Sequence, residues 1–440
     1  MDPFNAEQAN AAFADAPSSI DVPLGPLETV DVVVVGGGPA GATAAEDLAR
    51  LGRSVVLLDK PGRIKPCGGA IPPRLIRDFD IPESQIVARA NSARMVAPSD
   101  KAVDMPIEGG SVGMVDREHF DEFLRERAAD AGVDRRDGMF VDILRDANGV
   151  AVVRYQEHGA SKKSPLIEVR TRTVIGADGA RSKVAEQEIN GGDKSTCVFA
   201  YHEIIASPEE DGAVAKDADF DGTRCDIYYQ NRLSPDFYAW VFPHGKTTSV
   251  GVGSAHKGFS LRGAVSDLRS HAGLKDQETI RCEGAPIPLK PLKRWDNGKD
   301  IILAGDAAGC VAPASGEGIY YAMLGGRTAA SAIDELLQTG DASALSRARR
   351  TYMREHGRVF WILGVMQHFW YRNDKRRERF VDICRDKDVQ RLTWEAYMNK
   401  RLVKANHSAH LKIFLKDLAH LFGLAKVKKA EDTKPAEATV

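Results

Sequence analysis

Six residues, Gly36-Gly37-Gly38-Pro39-Ala40-Gly41, constrain this 440-residue chain more than any others. They follow a β-branched run, Val30 to Val35, and precede an Ala-rich stretch, Ala42 to Leu51, that reads as a helix. A second apolar run, Ser54 to Leu58, ends at Asp59, 18 residues beyond Gly41. Strand, GxGxxG turn, helix, strand and acid in this order predict a dinucleotide-binding βαβ unit. Gly36 permits the tight turn, Gly38 lets the backbone approach a pyrophosphate, and Gly41 lets helix and strand pack closely. The helix start, including Ala40, offers unpaired N–H groups to the phosphates. Asp59 is placed to accept a hydrogen bond from a ribose 2′-OH, which favours FAD or NAD over NADP. Lys60 and Arg63 follow it closely and could attract a phosphate, so Asp59 alone does not settle the choice.

Two distant segments select FAD. Thr173 to Ala177 is strand-like and runs into Asp178-Gly179-Ala180-Arg181-Ser182, and Ile301 to Ala304 leads into Gly305-Asp306-Ala307-Ala308-Gly309. A carboxylate beside a second helix start can hold ribityl hydroxyls, a need that simple NAD dehydrogenases lack. The order of GxGxxG, DG and GD segments resembles the FAD-dependent hydroxylase-like flavoprotein superfamily. That resemblance implies that Asp59 contacts the adenosine ribose and Asp306 the ribityl chain or pyrophosphate. It also implies that Arg117, within Val115-Asp116-Arg117-Glu118-His119-Phe120-Asp121, opens a helix near the cofactor. Asp178 either ties strand to helix or touches the ligand. No second GxGxxG follows a strand, so an NADPH reductant has no Rossmann site of its own.

Two more segments narrow the reading. One is Pro66-Cys67-Gly68-Gly69-Ala70-Ile71-Pro72; the other is Phe237-Tyr238-Ala239-Trp240-Val241-Phe242-Pro243-His244-Gly245, followed by Val250-Gly251-Val252-Gly253. With Asp388 to Met398 in the helical tail, they resemble the geranylgeranyl reductase family and its photosynthetic branch, over about Val30 to Leu424. The resemblance implies an FAD enzyme that uses NADPH to saturate three double bonds of a geranylgeranyl group, giving phytyl for chlorophyll or bacteriochlorophyll. The group is carried as the diphosphate, on bacteriochlorophyll, or both. Tyr238, Trp240 and Phe242 recur at period two and on a strand would share one face. By the resemblance they wall the prenyl pocket; by spacing alone they equally suit a sheet face packed on the core. Hydride delivery to an unactivated C=C requires an aligned alkene, excluded water and a proton donor on the other carbon. Cys67 is the candidate donor, and Gly68, Gly69, Gly316 and Gly318 are expected to bring backbone to the flavin. His202 and His244 are read as ordinary sheet and turn histidines. The alternatives are a flavin monooxygenase of the hydroxylase-like group and a non-catalytic flavin-containing lipid-binding protein.

Composition supplies the remaining limits. With 60 Lys or Arg against 62 Asp or Glu the net charge is −2, which argues against a nucleic-acid binder. No apolar run approaches the ~18 residues that span a bilayer. Six scattered cysteines without CxxC predict neither disulfides nor a metal site, and all but Cys67 are expected as buried thiols. Between Arg347 and Lys429, however, 21 Lys or Arg face 8 Asp or Glu. Phe360, Trp361, Met366, Phe369 and Trp370 stand there among Arg358, Arg372, Lys375, Arg376 and Arg377. Leu411, Phe414, Leu415, Leu418, Leu421 and Phe422 follow at helical spacing with Lys412 and Lys416. Basic aromatic helices of this kind suit an anionic membrane surface, so a cytoplasmic enzyme peripheral on the photosynthetic or cytoplasmic membrane is expected.

The predicted fold class is α/β. A Rossmann-like FAD-binding domain (30–90, 115–190 and 295–338) interleaves with an antiparallel-sheet, prenyl-binding substrate domain (91–114 and 191–294). A helical C-terminal region (339–425) follows, and flexible tails (1–29 and 426–440) flank the whole.

Overall fold

The computed structural model describes residues 28–400, apart from positions 63, 162, 211–212 and 215–219. The tail after 426, the amphipathic pattern from Leu411 to Phe422, and Arg63 therefore lie outside the described residues. So does the N-terminal tail, except that Thr29 already belongs to the first strand.

The Val-rich run forms strand Thr29–Val35, and Val32 to Val35 are all buried. A continuous apolar run is what a parallel strand covered on both faces requires. It lies between Val55–Asp59 on one side and Ile167–Gly176 on the other, both parallel to it. Asp134–Arg145 extends this parallel set beyond Val55–Asp59, and Ile301–Leu303 extends it beyond Ile167–Gly176. Strand Asp134–Arg145 then outruns the sheet and pairs antiparallel with Ala151–Glu157, which pairs in turn with the start of Ile167–Gly176. Helix Pro39–Arg50 packs against helices Arg117–Asp130 and Ile319–Thr339. The last contact is very close: a Cβ on Gly326 would stand 2.1 Å from the Ala40 carbonyl oxygen.

A second sheet of seven strands runs 279–288, 197–206, 247–254, 239–244, 224–228, 92–96, 102–106. Its pairs are antiparallel except 224–228 beside 92–96. Ala239 and Val241 pack with Val250, Val252, Val265 and Leu268 beneath helix Leu261–His271, so alternation turns Trp240 and Phe242 to the opposite face. The predicted boundary at 114 cuts a small third sheet. Strand Val112–Met114 pairs with both Ala70–Ile71 and Ala88–Ala90, elements of two or three residues too short to show a period.

Helices Ser343–Trp370, Asp374–Ile383 and Lys387–Asn399 follow, the second and third capped by Asn373 and Asp386. Two residues read as a basic aromatic surface are core instead: Phe360 and Trp370 are buried. Arg377 is buried as well. Its guanidinium donates to the carbonyls of Ser234 (2.7 Å), Pro235 (2.8 Å) and Tyr371 (2.8 Å), pinning the second helix to the loop that leads into Tyr238. The cysteines also differ from expectation, since Cys282 is exposed and Cys197 only half-buried.

Candidate active site

The cleft between the two large sheets begins at the glycine turn. Gly36 has φ +104°, and a Cβ there would meet the Ala177 carbonyl oxygen at 2.4 Å. Gly41 has no room either, its would-be Cβ lying 1.8 Å from the Gly36 oxygen. At Gly38 the reverse holds: nothing lies within 4 Å of a Cβ, and the position lines the cleft. A turn sealed on its inner side and open at Gly38 is a cradle for a diphosphate. No side chain caps helix Pro39–Arg50, which leaves its first N–H groups for an anion. The residues present therefore fit the diphosphate of FAD.

Asp59 lines the same cleft at the end of strand Val55–Asp59. Burial pushes its carboxyl up, opposed by the Gly37 backbone and by Arg125, whose guanidinium lies 3.3 Å away. Arg125 was not singled out from sequence, although Arg117, Asp121 and Arg125 recur every four residues and so share one face of helix Arg117–Asp130. Arg117 is buried and forms a bidentate pair with Asp121, 2.7 Å at each contact, and against the cost of burial this carboxylate holds it firmly protonated. Lys65 is a second residue the sequence did not flag. Its ammonium pairs with the Asp306 carboxylate, so this acid of the cleft carries its own counter-charge.

Ala40, Asp59, Lys60, Cys67, Gly68, Arg117, Asp306, Gly316 and Gly318 all line the cleft, as do Tyr238, Trp240 and Phe242. Gly41 and Gly69 do not; they act by permitting close packing. A Cβ on Gly69 (φ +68°) would strike the Val115 oxygen at 2.4 Å and His244 Nε2 at 2.5 Å. His244 Nε2 lies 3.1 Å from the Gly68 carbonyl oxygen, and burial pushes this imidazole down to about 4, so neutral His244 donates to that carbonyl. Asp178 lines the cleft and also ties strand to helix. Its carboxylate accepts from Ser182 Oγ (2.5 Å) and Lys183 N (2.7 Å), at the start of helix Lys183–Glu188.

The aromatic residues form a ladder. Ring centroids step 6.0 Å from Tyr238 to Trp240 and 6.3 Å from Trp240 to Phe242. Tyr238 precedes strand Ala239–His244 rather than lying in it, and its hydroxyl donates to the Ser315 carbonyl at 2.5 Å. Behind the ladder runs a polar chain. Trp240 Nε1 donates to Ser249 Oγ (3.0 Å), Ser249 Oγ meets His202 Nδ1 (2.9 Å), and His202 Nε2 meets Glu283 (2.6 Å). With Ser249 donating to Nδ1 and Nε2–H donating to the carboxylate, every member of the chain has a partner. His202 is thus a fixed structural group that locks the indole.

At the far end, Glu317 between Gly316 and Gly318 pairs with Lys400, both buried. Lys400 adopts φ +52° at the end of helix Lys387–Asn399, and its ammonium stands 3.8 Å over the Tyr397 ring.

A Rossmann-type cradle, a second carboxylate lining the same cleft and a covering sheet define an FAD-dependent oxidoreductase. Residues 29–196 match the family model described as an FAD binding domain. The chain belongs to the geranylgeranyl diphosphate reductase family. It is 55% identical to the geranylgeranyl diphosphate reductase of Rhodobacter capsulatus, over 90% of this chain and 98% of that protein. It is 36% identical to the chloroplastic geranylgeranyl diphosphate reductase of Oryza sativa, over 92% and 89% of the two chains. Its fold matches the crystal structure of a geranylgeranyl bacteriochlorophyll reductase-like protein from Thermoplasma acidophilum. That match has a TM-score of 0.74 at 23% identity and covers 91% of this chain and 100% of that one. Membership in a reductase family sets aside the monooxygenase and the non-catalytic alternatives.

Proposed function

We propose that this protein saturates three double bonds of a geranylgeranyl group, carried as the diphosphate or on bacteriochlorophyll, with NADPH as reductant. The observation that carries the reading is the aromatic ladder Tyr238–Trp240–Phe242 facing the Cys67–Gly68 loop across one cleft. Bound FAD supplies hydride transfer. The ladder gives a long isoprenoid an apolar wall and excludes water, while Cys67, beside Arg117, is the proton donor for the second alkene carbon. Family membership and the FAD cradle support this assignment of roles. Anaerobic incubation with NADPH and either geranylgeranyl diphosphate or geranylgeranyl-bacteriochlorophyll tests it. Mass spectrometry should show product mass rising in steps of two hydrogens; unchanged substrate from both carriers would refute it.

The apolar character of a prenyl substrate supports a peripheral membrane role. Among the described residues no helix is long and apolar enough to cross a membrane. Helix Ser343–Trp370 nevertheless exposes Trp361 (70%) and Val365 (49%) on the face that carries Arg358. An exposed indole one turn from an arginine suits the interface of an anionic bilayer. Flotation with anionic liposomes at low salt should carry the protein upward, and Trp361→Ser should weaken it; a wild-type protein left at the bottom ends the idea.

A further inference from the structure

A second cleft, of about 760 Å³, opens beside the cofactor cleft and shares Ala180, Arg181 and Pro286 with it. Its cations are Arg181, Lys257 and His256, and its acids are Glu186 and Asp193, all exposed. Among the described residues Arg181 and Lys257 pair with no carboxylate, in a molecule where most arginines do. Arg181 instead lies over the Phe199 ring, 5.2 Å from its centroid, and Phe199 is 41% exposed. Free cations beside a solvent-facing aromatic ring, next to a flavin site, form a feature the roles assigned so far do not use.

The geometry points to this cleft as the docking site of the phosphorylated nucleotide reductant, NADPH; the inference rests on the FAD-reductase reading above. Among the described residues there is one dinucleotide cradle, and FAD takes it, so a second dinucleotide binds elsewhere and within reach of the flavin. Arg181 and Lys257 suit its phosphates, with Arg181 able to engage one in bidentate fashion. Phe199 offers a face on which a base stacks, a contact indifferent to the rest of the ligand. A prenyl diphosphate shares the phosphate chemistry, but the stepped rings of Tyr238, Trp240 and Phe242 line the cofactor cleft and have no counterpart in this one. Exposed cations also make the affinity salt-dependent.

Arg181→Ala and Lys257→Ala in the FAD-loaded full chain test the assignment. Both residues are on the surface, and an unchanged flavin spectrum would report an intact cofactor site. Anaerobic stopped-flow bleaching of the flavin against NADPH concentration should give a dissociation constant raised about tenfold by each variant, the loss of one charge-assisted contact. Dithionite-driven reduction of geranylgeranyl diphosphate bypasses NADPH and should keep its KM and kcat in Lys257→Ala, whose residue lines only the second cleft. An NADPH constant that stays put overturns the inference. So does a raised KM for the prenyl diphosphate under dithionite in Lys257→Ala, which would make the cleft that substrate's diphosphate site. Failure of dithionite-driven turnover in the wild type would refute the prenyl-reductase reading instead, while NADPH bleaching would still report on the cleft.

Discussion

Phe242 lies so close over Gly68 that a Cβ on that glycine would stand 2.6 Å from the ring. The contact joins the covering sheet to the loop that carries Cys67, and it gives the double glycine a steric reason. Gly68→Ala forces ring or loop to move and should cost about 1–3 kcal/mol, the usual penalty of overpacking. Thermal unfolding reads the loss. Adding Phe242→Ala makes room, so the double variant should lose less stability than the two single costs added together; simple additivity would show that the pair is not coupled.

Cys67→Ala separates chemistry from cofactor binding. The Gly69 N–H lies 3.3 Å from Cys67 Sγ on a half-buried loop, a contact the protein can lose without unfolding. FAD content should stay normal while alkene reduction falls by about 100-fold, the scale on which a positioned proton donor acts. Turnover unchanged from wild type would remove Cys67 from the mechanism.

Ser249→Ala strands both Trp240 Nε1 and His202 Nδ1, two buried groups that share its hydroxyl. The expected cost is about 1–3 kcal/mol per group left unpaired. The indole would then turn more freely in the wall of the cleft. A shifted Trp emission and a build-up of partly reduced prenyl products are expected. Ser249→Thr, which keeps the hydroxyl, should restore both; failure of that rescue would assign the effect to packing.

Lys65→Met leaves Asp306 without its counter-ion in the cofactor cleft. A bare carboxylate there repels the diphosphate, so FAD affinity should fall roughly tenfold, the loss of one charge-assisted contact. Adding Asp306→Asn removes the repulsion and should recover part of it. Fluorescence titration of the apoprotein with FAD measures both effects.

His244 predicts an acid sensitivity whose sign follows from its burial. Its pKa falls to about 4 in the fold, against the ordinary ~6.5 when unfolded. Between those values the unfolded chain binds a proton that the native state refuses. Stability from this group is complete above ~6.5 and drains away as pH falls toward 4, by about 3 kcal/mol in all. Urea unfolding at pH 7 and pH 5 should show His244→Gln less stable than wild type at pH 7, with the gap narrowing at pH 5. A gap independent of pH would show that this imidazole does not supply the dependence.

Local features were legible and distant pairings were not. The turn from Gly36 to Gly41, strand Val55–Asp59 and the alternation at Trp240 and Phe242 each follow from residues next to one another in the chain. Lys65–Asp306 joins residues 241 apart and Glu317–Lys400 residues 83 apart, and no periodicity encodes such partners. Arg125 lies between these cases, because its four-residue spacing from Asp121 stood in the sequence and only its partner Asp59 did not. Arg377 shows how composition misleads. A guanidinium in a basic, aromatic stretch reads as surface until three carbonyls converge on it.

The cofactor cleft takes its lining from as early as Val35 and as late as Ala322. A growing polypeptide emerging from the ribosome has its glycine turn long before it has Asp306 or the loop at Glu317. No N-terminal fragment ending before strand Ile301–Leu303 contains the full lining of the cofactor cleft, so the cleft can close only late in synthesis or afterwards. Until then the early βαβ unit lacks a strand that its sheet was built to receive, and cells short of flavin should accumulate the enzyme in its most protease-sensitive form.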